Sequence, residues 1–237
     1  MIRDIDLWIT LFVNQHGSHT KPFDFFVIEI LNRTTYNFLP VMTLWFAIFF
    51  MKPMETYRRI ALEGLIGAFC AIMTSRLIGY LGPHHPRPAF DPTVPFTLPS
   101  GLGPHEIMRD YSSFPSEHAT LAFAIAVSIW RASPALGVIA TGWAVCVVAF
   151  VRLYGGWHFF FDLVGGAVLG TAWVLTLARA RFLTARPVNI LMETSVRHEP
   201  LFMGGLLILM FQMMTFFDDV RFLGGAVAGF LTRKITG

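Results

Sequence analysis

The chain has 237 residues, of which 54% are hydrophobic, 15% aromatic and only 14% charged, with a mean hydropathy of +0.58 and a formal net charge of +3. That composition excludes a water-soluble domain and predicts an integral membrane protein, an all-α polytopic bundle of about six spans. The small positive balance comes without a basic run of the kind that grips a phosphodiester backbone, which excludes nucleic acid as a partner.

Near the start, Ile5, Trp8, Ile9 and Phe12 recur at i, i+3, i+4 and i+7, the stripe of a helix lying flat on a membrane surface. Asp4, Asp6 and Thr10 interrupt the apolar core that a signal peptide needs, so Met1 to Asn14 is expected to be retained. Phe23 to Leu31 is apolar but carries Asp24 and Glu29, as a tilted or half-inserted helix would. Tyr36 to Met51 is the first full span, ending at Lys52 and Pro53; Arg58 and Arg59 introduce a second, from Ile60 to Leu81. The three basic residues in that short connection assign it to the cytoplasm.

The second span then delivers a long loop, Pro83 to Phe114, to the external side. Loops of this length are unusual in a compact bundle and point to function. From Pro115 to Arg131 a helix at about 1.5 Å per residue covers roughly 25 Å, and Ala135 to Val151 returns the same distance, so His118 and Arg152 are expected at one membrane face. His158 to Ala178 follows and ends in Arg179, Arg181 and Arg186 on the cytoplasmic side with Arg131. Leu201 to Phe217 is the last span, in an accessory region of a single domain covering 1–237, and the tail after Asp219 has no assigned place. Cys70 and Cys146 fall inside apolar runs and are expected to be unpaired packing residues.

The chemistry gathers in Val151 to Asp162, which carries Arg152, His158 and Asp162 through apolar sequence. If a helix begins near Trp157, His158 and Asp162 share a face, and the carboxylate fixes which ring nitrogen is free. Arg152 supplies a planar fork of donors suited to phosphoryl oxygens. Two further groups should reach the same surface: Arg87-Pro88, and Pro115-Ser-Glu-His118, where Ser116 caps a helix whose free N–H groups at Glu117 and His118 form an anion site.

These three groups resemble the type 2 phosphatidic acid phosphatase (PAP2) superfamily, whose pattern is Lys-x6-Arg-Pro, then Pro-Ser-Gly-His, then Ser-Arg-x5-His-x3-Asp. The resemblance covers Ser75 to Gly170, the catalytic core. It implies a membrane phosphatase in which His158, oriented by Asp162, forms a phosphohistidine, and in which His118 protonates the leaving oxygen and then activates water. Arg87, Ser116, Glu117 and Arg152 would bind phosphate, with no metal and no other cofactor. The pattern's lysine falls at Tyr80, which cannot supply charge; Arg76, one helical turn earlier, is a candidate substitute, as are His84 and His85. Its second-motif glycine is Glu117 and its third-motif serine is Val151.

Phe-Pro-Ser-Glu-His-Ala-Thr and His-Pro-Arg-Pro further resemble the undecaprenyl diphosphatase branch. That implies release of phosphate from undecaprenyl diphosphate at the outer face of a bacterial cytoplasmic membrane, recycling the lipid carrier of cell-wall precursors. The rival activities are phosphatidylglycerophosphate, phosphatidate or lipid A phosphatase, or a lipid phosphotransferase. A lipid or ion transporter is the rival from another class, opposed by the clustering of charge at one end of the bundle. His84, His85, His105, Glu106 and Asp91 could instead form a metal site, though their irregular spacing favours a loop surface. Gly165, Gly166 and Gly170 are expected to allow close helix packing. Oligomeric state is not encoded in any of these features.

Overall fold

The computed structural model describes residues 2–102 and 112–218, and every regular element among them is helical. The chain divides into two compact units, Met1–Met192 and Glu193–Gly237. In the first, α1 (Ile2–Gln15), α2 (Lys21–Asn32), α3 (Thr34–Ile48) and α4 (Met54–Leu81) precede the long loop, which contains one 3₁₀ turn at Pro88–Phe90. After the loop come α5 (Glu117–Ala132), then α6 (Pro134–Trp143), a π-helical segment (Ala144–Ala149) and α7 (Phe150–Tyr154), which together form one span. α8 (Phe160–Arg179) follows, and α9 (Arg181–Arg197) crosses into the second unit, where α10 is Glu199–Met214.

Among the described residues, three helices are long and apolar enough to cross a membrane: Met54–Leu81, Pro134–Tyr154 and Phe160–Arg179. The remaining expected spans are shorter helices, α3, α5 and α10, of 15, 16 and 16 residues. Most span boundaries shift by two or three residues, and two differences go further. α4 begins at Met54, so Arg58 and Arg59 lie inside its first turns. The basic stretch after Arg179 continues as α9, a helix that the charge pattern alone did not disclose.

α5 is the central helix, packed against α3, α4, α6 and α8, and its residues from Ala119 to Ala122 are all buried. Small residues make that centrality possible. A Cβ on Gly166 would stand 2.5 Å from the Ser116 carbonyl oxygen, and one on Gly170 would stand 2.2 Å from that of Thr120, so α8 lies against α5 backbone to backbone. Lipid offers no hydrophobic drive between helices, and close approach of this kind is what holds them together. Cys70 and Cys146 are free; Cys146 is exposed on the bundle's flank, so it is not a packing residue.

Of the expected α1 stripe, Ile5, Trp8 and Phe12 are exposed and Ile9 is half-buried. Its other side is built into the protein. Thr10 and Asn14 are fully buried, and the Asn14 amide donates to the Thr97 carbonyl at 2.7 Å while accepting from the Thr97 N–H at 2.9 Å. α2 is fastened likewise: buried Asp24 accepts from the Tyr154 hydroxyl at 2.5 Å and from the Ser100 N–H at 2.8 Å. The polar residues that interrupt the first apolar stretches therefore anchor the long loop over the end of the bundle where α5 and α8 begin.

Candidate active site

Ser116 is the N-cap of α5, its hydroxyl accepting from the Ala119 N–H at 3.4 Å, as its position before an apolar helix predicts. Its own N–H donates to the Asp162 carbonyl at 3.1 Å, which ties the first turn of α5 to the first turn of α8. Ser116 is fully buried, so its hydroxyl serves the cap. The two histidine-bearing segments are thereby held side by side.

His158 does not sit on the helix with Asp162. α8 begins at Phe160, and His158 lies in the connection before it, 4% exposed. The His158 Nδ1 is 3.7 Å from Asp162 Oδ2, beyond hydrogen-bond range, and 2.8 Å from the main-chain oxygen of Ser113. A carbonyl only accepts, so Nδ1 carries the proton and Nε2 presents its lone pair. Asp162 acts one step removed: Oδ2 accepts from the Ser113 hydroxyl and from the Phe159 N–H, the latter at 2.8 Å. The expected direct imidazole–carboxylate bond is thus replaced by a Ser113-mediated one, because the chain breaks its helix between the two residues.

Burial pushes the His158 imidazole down to about 4, against the attraction of Asp162 and helped by the positive charge of Arg87. The ring is therefore neutral at physiological pH, the form a nucleophile needs.

Arg152 is completely buried. Nη1 donates to the Asn37 side-chain oxygen at 3.0 Å and to the Val148 carbonyl at 2.9 Å, while Nε and Nη2 are buried without a hydrogen-bond partner. A buried guanidinium held by neutral oxygens, with two donors left over, is an incomplete site for an anion. Gly156 makes the turn that follows: its φ is +74°, and a Cβ there would meet Phe96 at 2.7 Å. The Gly156 carbonyl accepts from the Ala89 N–H at 3.1 Å, drawing the Arg87-Pro88 segment onto the same turn.

Arg87 is 7% exposed and donates from Nη1 to the Trp157 carbonyl at 2.8 Å, its guanidinium lying 5.9 Å from the Trp157 ring centroid. Burial lowers its pKa to about 10, opposed by the charges of Asp162 and Glu117, so it stays a cation at neutral pH. His118 occupies the first turn of α5, its ring stacked on Phe38 at 5.8 Å.

Arg76 and Glu117 form a bidentate pair, with Nε to Oε1 and Nη2 to Oε2 both at 3.1 Å. Glu117 therefore holds Arg76 at the start of α5. Tyr80 is 85% exposed and turned away. His85 also belongs to this end of the bundle: its Nδ1 lies 3.5 Å from Asp162 Oδ1, and its carbonyl accepts from the Ser113 N–H at 2.8 Å. His105 and Glu106 lie outside the described residues, and among the described residues no group of His, Cys, Asp and Glu is arranged to hold a metal ion.

Ser113 and Asn37 were missed in the sequence. For Asn37 a signal existed, an amide inside an apolar helix, where a polar group is retained only when something satisfies it. Ser113 carries no local mark, because its role arises only when the loop folds back onto α8.

Residues 65–186 match the family model of the PAP2 superfamily, over half of the chain. The chain belongs to the PAP2 superfamily. No curated protein matches it. The fold of this PAP2 protein is similar to that of Aquifex aeolicus LpxE, with 19% identity, a TM-score of 0.51, and coverage of 73% of this chain and 94% of that one. It is also similar to the transmembrane PAP2 type phosphatidylglycerolphosphate phosphatase from Bacillus subtilis, with 20% identity, a TM-score of 0.51, and coverage of 75% and 84%. At these identities the likeness is one of fold. Family and fold together support a membrane-embedded phosphatase acting on lipid phosphates.

Proposed function

We propose that this PAP2 protein hydrolyses undecaprenyl diphosphate to the monophosphate and inorganic phosphate at the outer leaflet of a bacterial cytoplasmic membrane. The observation that carries the phosphate chemistry is Arg152, fully buried with Nε and Nη2 unmatched beside a histidine whose Nδ1 is already committed. A phosphoryl group placed there accepts from Arg152 and Arg87, which stabilise the charge on its equatorial oxygens. Nε2 of His158 attacks phosphorus as the bond to the leaving oxygen breaks, and His118 gives that oxygen its proton. His118 then takes a proton from water, which attacks the phosphohistidine, releasing phosphate and restoring both rings.

The choice of a diphosphate rests on the acidic second motif and on what its side chain does. Glu117 holds Arg76 by both oxygens at the start of α5, and Arg76 lies one helical turn before Tyr80, the position of the family pattern's lysine. A second phosphate in the substrate extends to a cation placed there. The basic ends at Arg58, Arg59, Arg131 and Arg179 support a cytoplasmic assignment for the opposite face.

The test is a panel of undecaprenyl diphosphate, phosphatidylglycerophosphate, phosphatidate and lipid A offered to the purified protein in EDTA. The expected result is phosphate release in the chelator, with the highest kcat/KM for undecaprenyl diphosphate. Preference for a monophosphate ester would assign the substrate elsewhere in the lipid phosphatases, and failure to bind vanadate or to act on any member would remove the phosphatase reading.

A further inference from the structure

The first turn of a helix leaves N–H groups that the helix itself cannot satisfy. In α8 those groups are satisfied from the far end of the chain. The Phe160 N–H donates to the Thr10 hydroxyl at 3.1 Å, and the Phe161 N–H donates to Asp6 Oδ1 at 2.9 Å. The Phe159 N–H finds its acceptor at Asp162 Oδ2, and the Asp162 N–H donates to the Phe159 carbonyl at 3.2 Å. Thr10 is fully buried, and α1 is clamped to the long loop by Asn14, so the two acceptors sit on a fixed support.

What these caps hold is the start of α8, and the reacting groups are attached to it. His158 lies two residues before Phe160, Asp162 lies one residue after Phe161, and the Asp162 carbonyl in turn receives the N-cap N–H of the helix that carries His118. A displacement of this turn would shift the nucleophile, its Ser113-mediated support and the second histidine together.

We propose that α1 is a positioning element for catalysis, with Asp6 and Thr10 as positioning residues that cap α8 and so set the place and tautomer of His158. The effect on turnover rests on the phosphatase reading; the effect on the imidazole does not. Neither residue touches the substrate, so the loss should appear in kcat more than in KM. Misplacing a reacting group by a fraction of an ångström suffices for about a ten-fold loss.

The experiment uses the full-length protein in detergent, with Asp6→Ala, Asp6→Asn, Thr10→Val and Thr10→Ser. Asp6→Ala and Thr10→Val should each lower kcat by about ten-fold with KM within about two-fold, whereas Asp6→Asn and Thr10→Ser, which keep an acceptor oxygen, should stay within about three-fold of the original. Histidine ring nitrogen NMR on the same proteins reads positioning without turnover: the unaltered chain shows His158 protonated at Nδ1, and Asp6→Ala and Thr10→Val show mixed tautomers. Folded Asp6→Ala and Thr10→Val proteins with unchanged kcat and unchanged His158 tautomer would overturn the proposal. Equal losses in Asp6→Asn and Asp6→Ala would overturn the capping role of Asp6. If Asp6→Ala does not fold, the near-isosteric Thr10→Val decides. An unaltered chain that hydrolyses no lipid phosphate, yet whose His158 tautomer still depends on Thr10, would sink the phosphatase reading and leave the positioning role standing.

Discussion

The two ends of the bundle treat buried arginine in opposite ways. Where α4 starts and α5 ends, Arg131 meets a carboxylate: Glu63, 2% exposed, accepts from its Nη2 at 2.6 Å, with Arg181 a further 3.7 Å contact to the same side chain. Where α5 and α8 begin, Arg152 is buried more deeply and has no carboxylate partner among the described residues, only the neutral oxygens of Asn37 and Val148. Burying a charge without a counter-charge is unfavourable, and the proposed function gives Arg152 its counter-charge in the substrate phosphate. At the first end a carboxylate answers the guanidinium, although Arg131 Nη1 stays unmatched; at the second, Nε and Nη2 of Arg152 are unmatched and no carboxylate faces them among the described residues.

The severest break in this contrast is to remove the group that the open end serves. His158→Ala should lower turnover by at least about 10^4-fold while the protein remains folded, as loss of a nucleophile does; near-normal phosphate release would show that the open end is not the reacting one. Arg152→Ala comes next, with a loss of about 10^2- to 10^3-fold in kcat/KM, and Arg152→Lys should recover little because an ammonium lacks the planar fork. Its melting temperature should hold or rise, since an uncompensated buried charge has gone, and a marked fall would contradict the reading of Arg152 as unpaired.

Glu63→Gln should show the converse. It strips the closed end of its carboxylate, so thermal unfolding in detergent should reveal a loss on the order of 3 kcal/mol, with kcat within about two-fold of the original. A large drop in kcat at unchanged stability would place Glu63 in the chemistry. The last effect is one of pH. His158 is held near 4 in the folded protein against the ordinary 6.5, so between those values the unfolded chain binds the proton that the folded chain refuses. Its contribution to stability is complete above about pH 6.5 and is lost as pH falls toward 4; melting curves across that window should flatten in His158→Ala.

Much of this was legible in residue order, for reasons of solvent and spacing. Lipid forces charges to the ends of helices, so Arg131, Arg152, Arg179 and the motif histidines mark where spans stop, and the ends of α5, α6–α7 and α8 fall within a few residues of the expected ones. The interval from Arg152 to Asp162 marked a stretch whose polar side chains Arg152, His158 and Asp162 are all buried. What it could not disclose was the break in helix between His158 and Asp162, because the acceptors that let α8 start at Phe160 are Asp6 and Thr10, some 150 residues away. Those same two residues were visible as interruptions of an apolar stripe, yet an interruption does not say which distant N–H it answers. Glu117 could be recognised as unusual, and only the fold of α4 beside it shows the bidentate grip on Arg76.

The π-helical stretch from Ala144 to Ala149, where the Phe150 N–H reaches back to the Val145 carbonyl, lies immediately before Arg152. Such a stretch accommodates a surplus residue, and each residue in a regular helix advances the side chain by about 100° around the axis. It therefore sets the rotational phase of everything beyond it. Winding the same residues as an uninterrupted α-helix would swing position 152 a quarter-turn or more away from Asn37, so the aim of the buried guanidinium depends on a local miscount in a stretch made up of apolar residues and one cysteine.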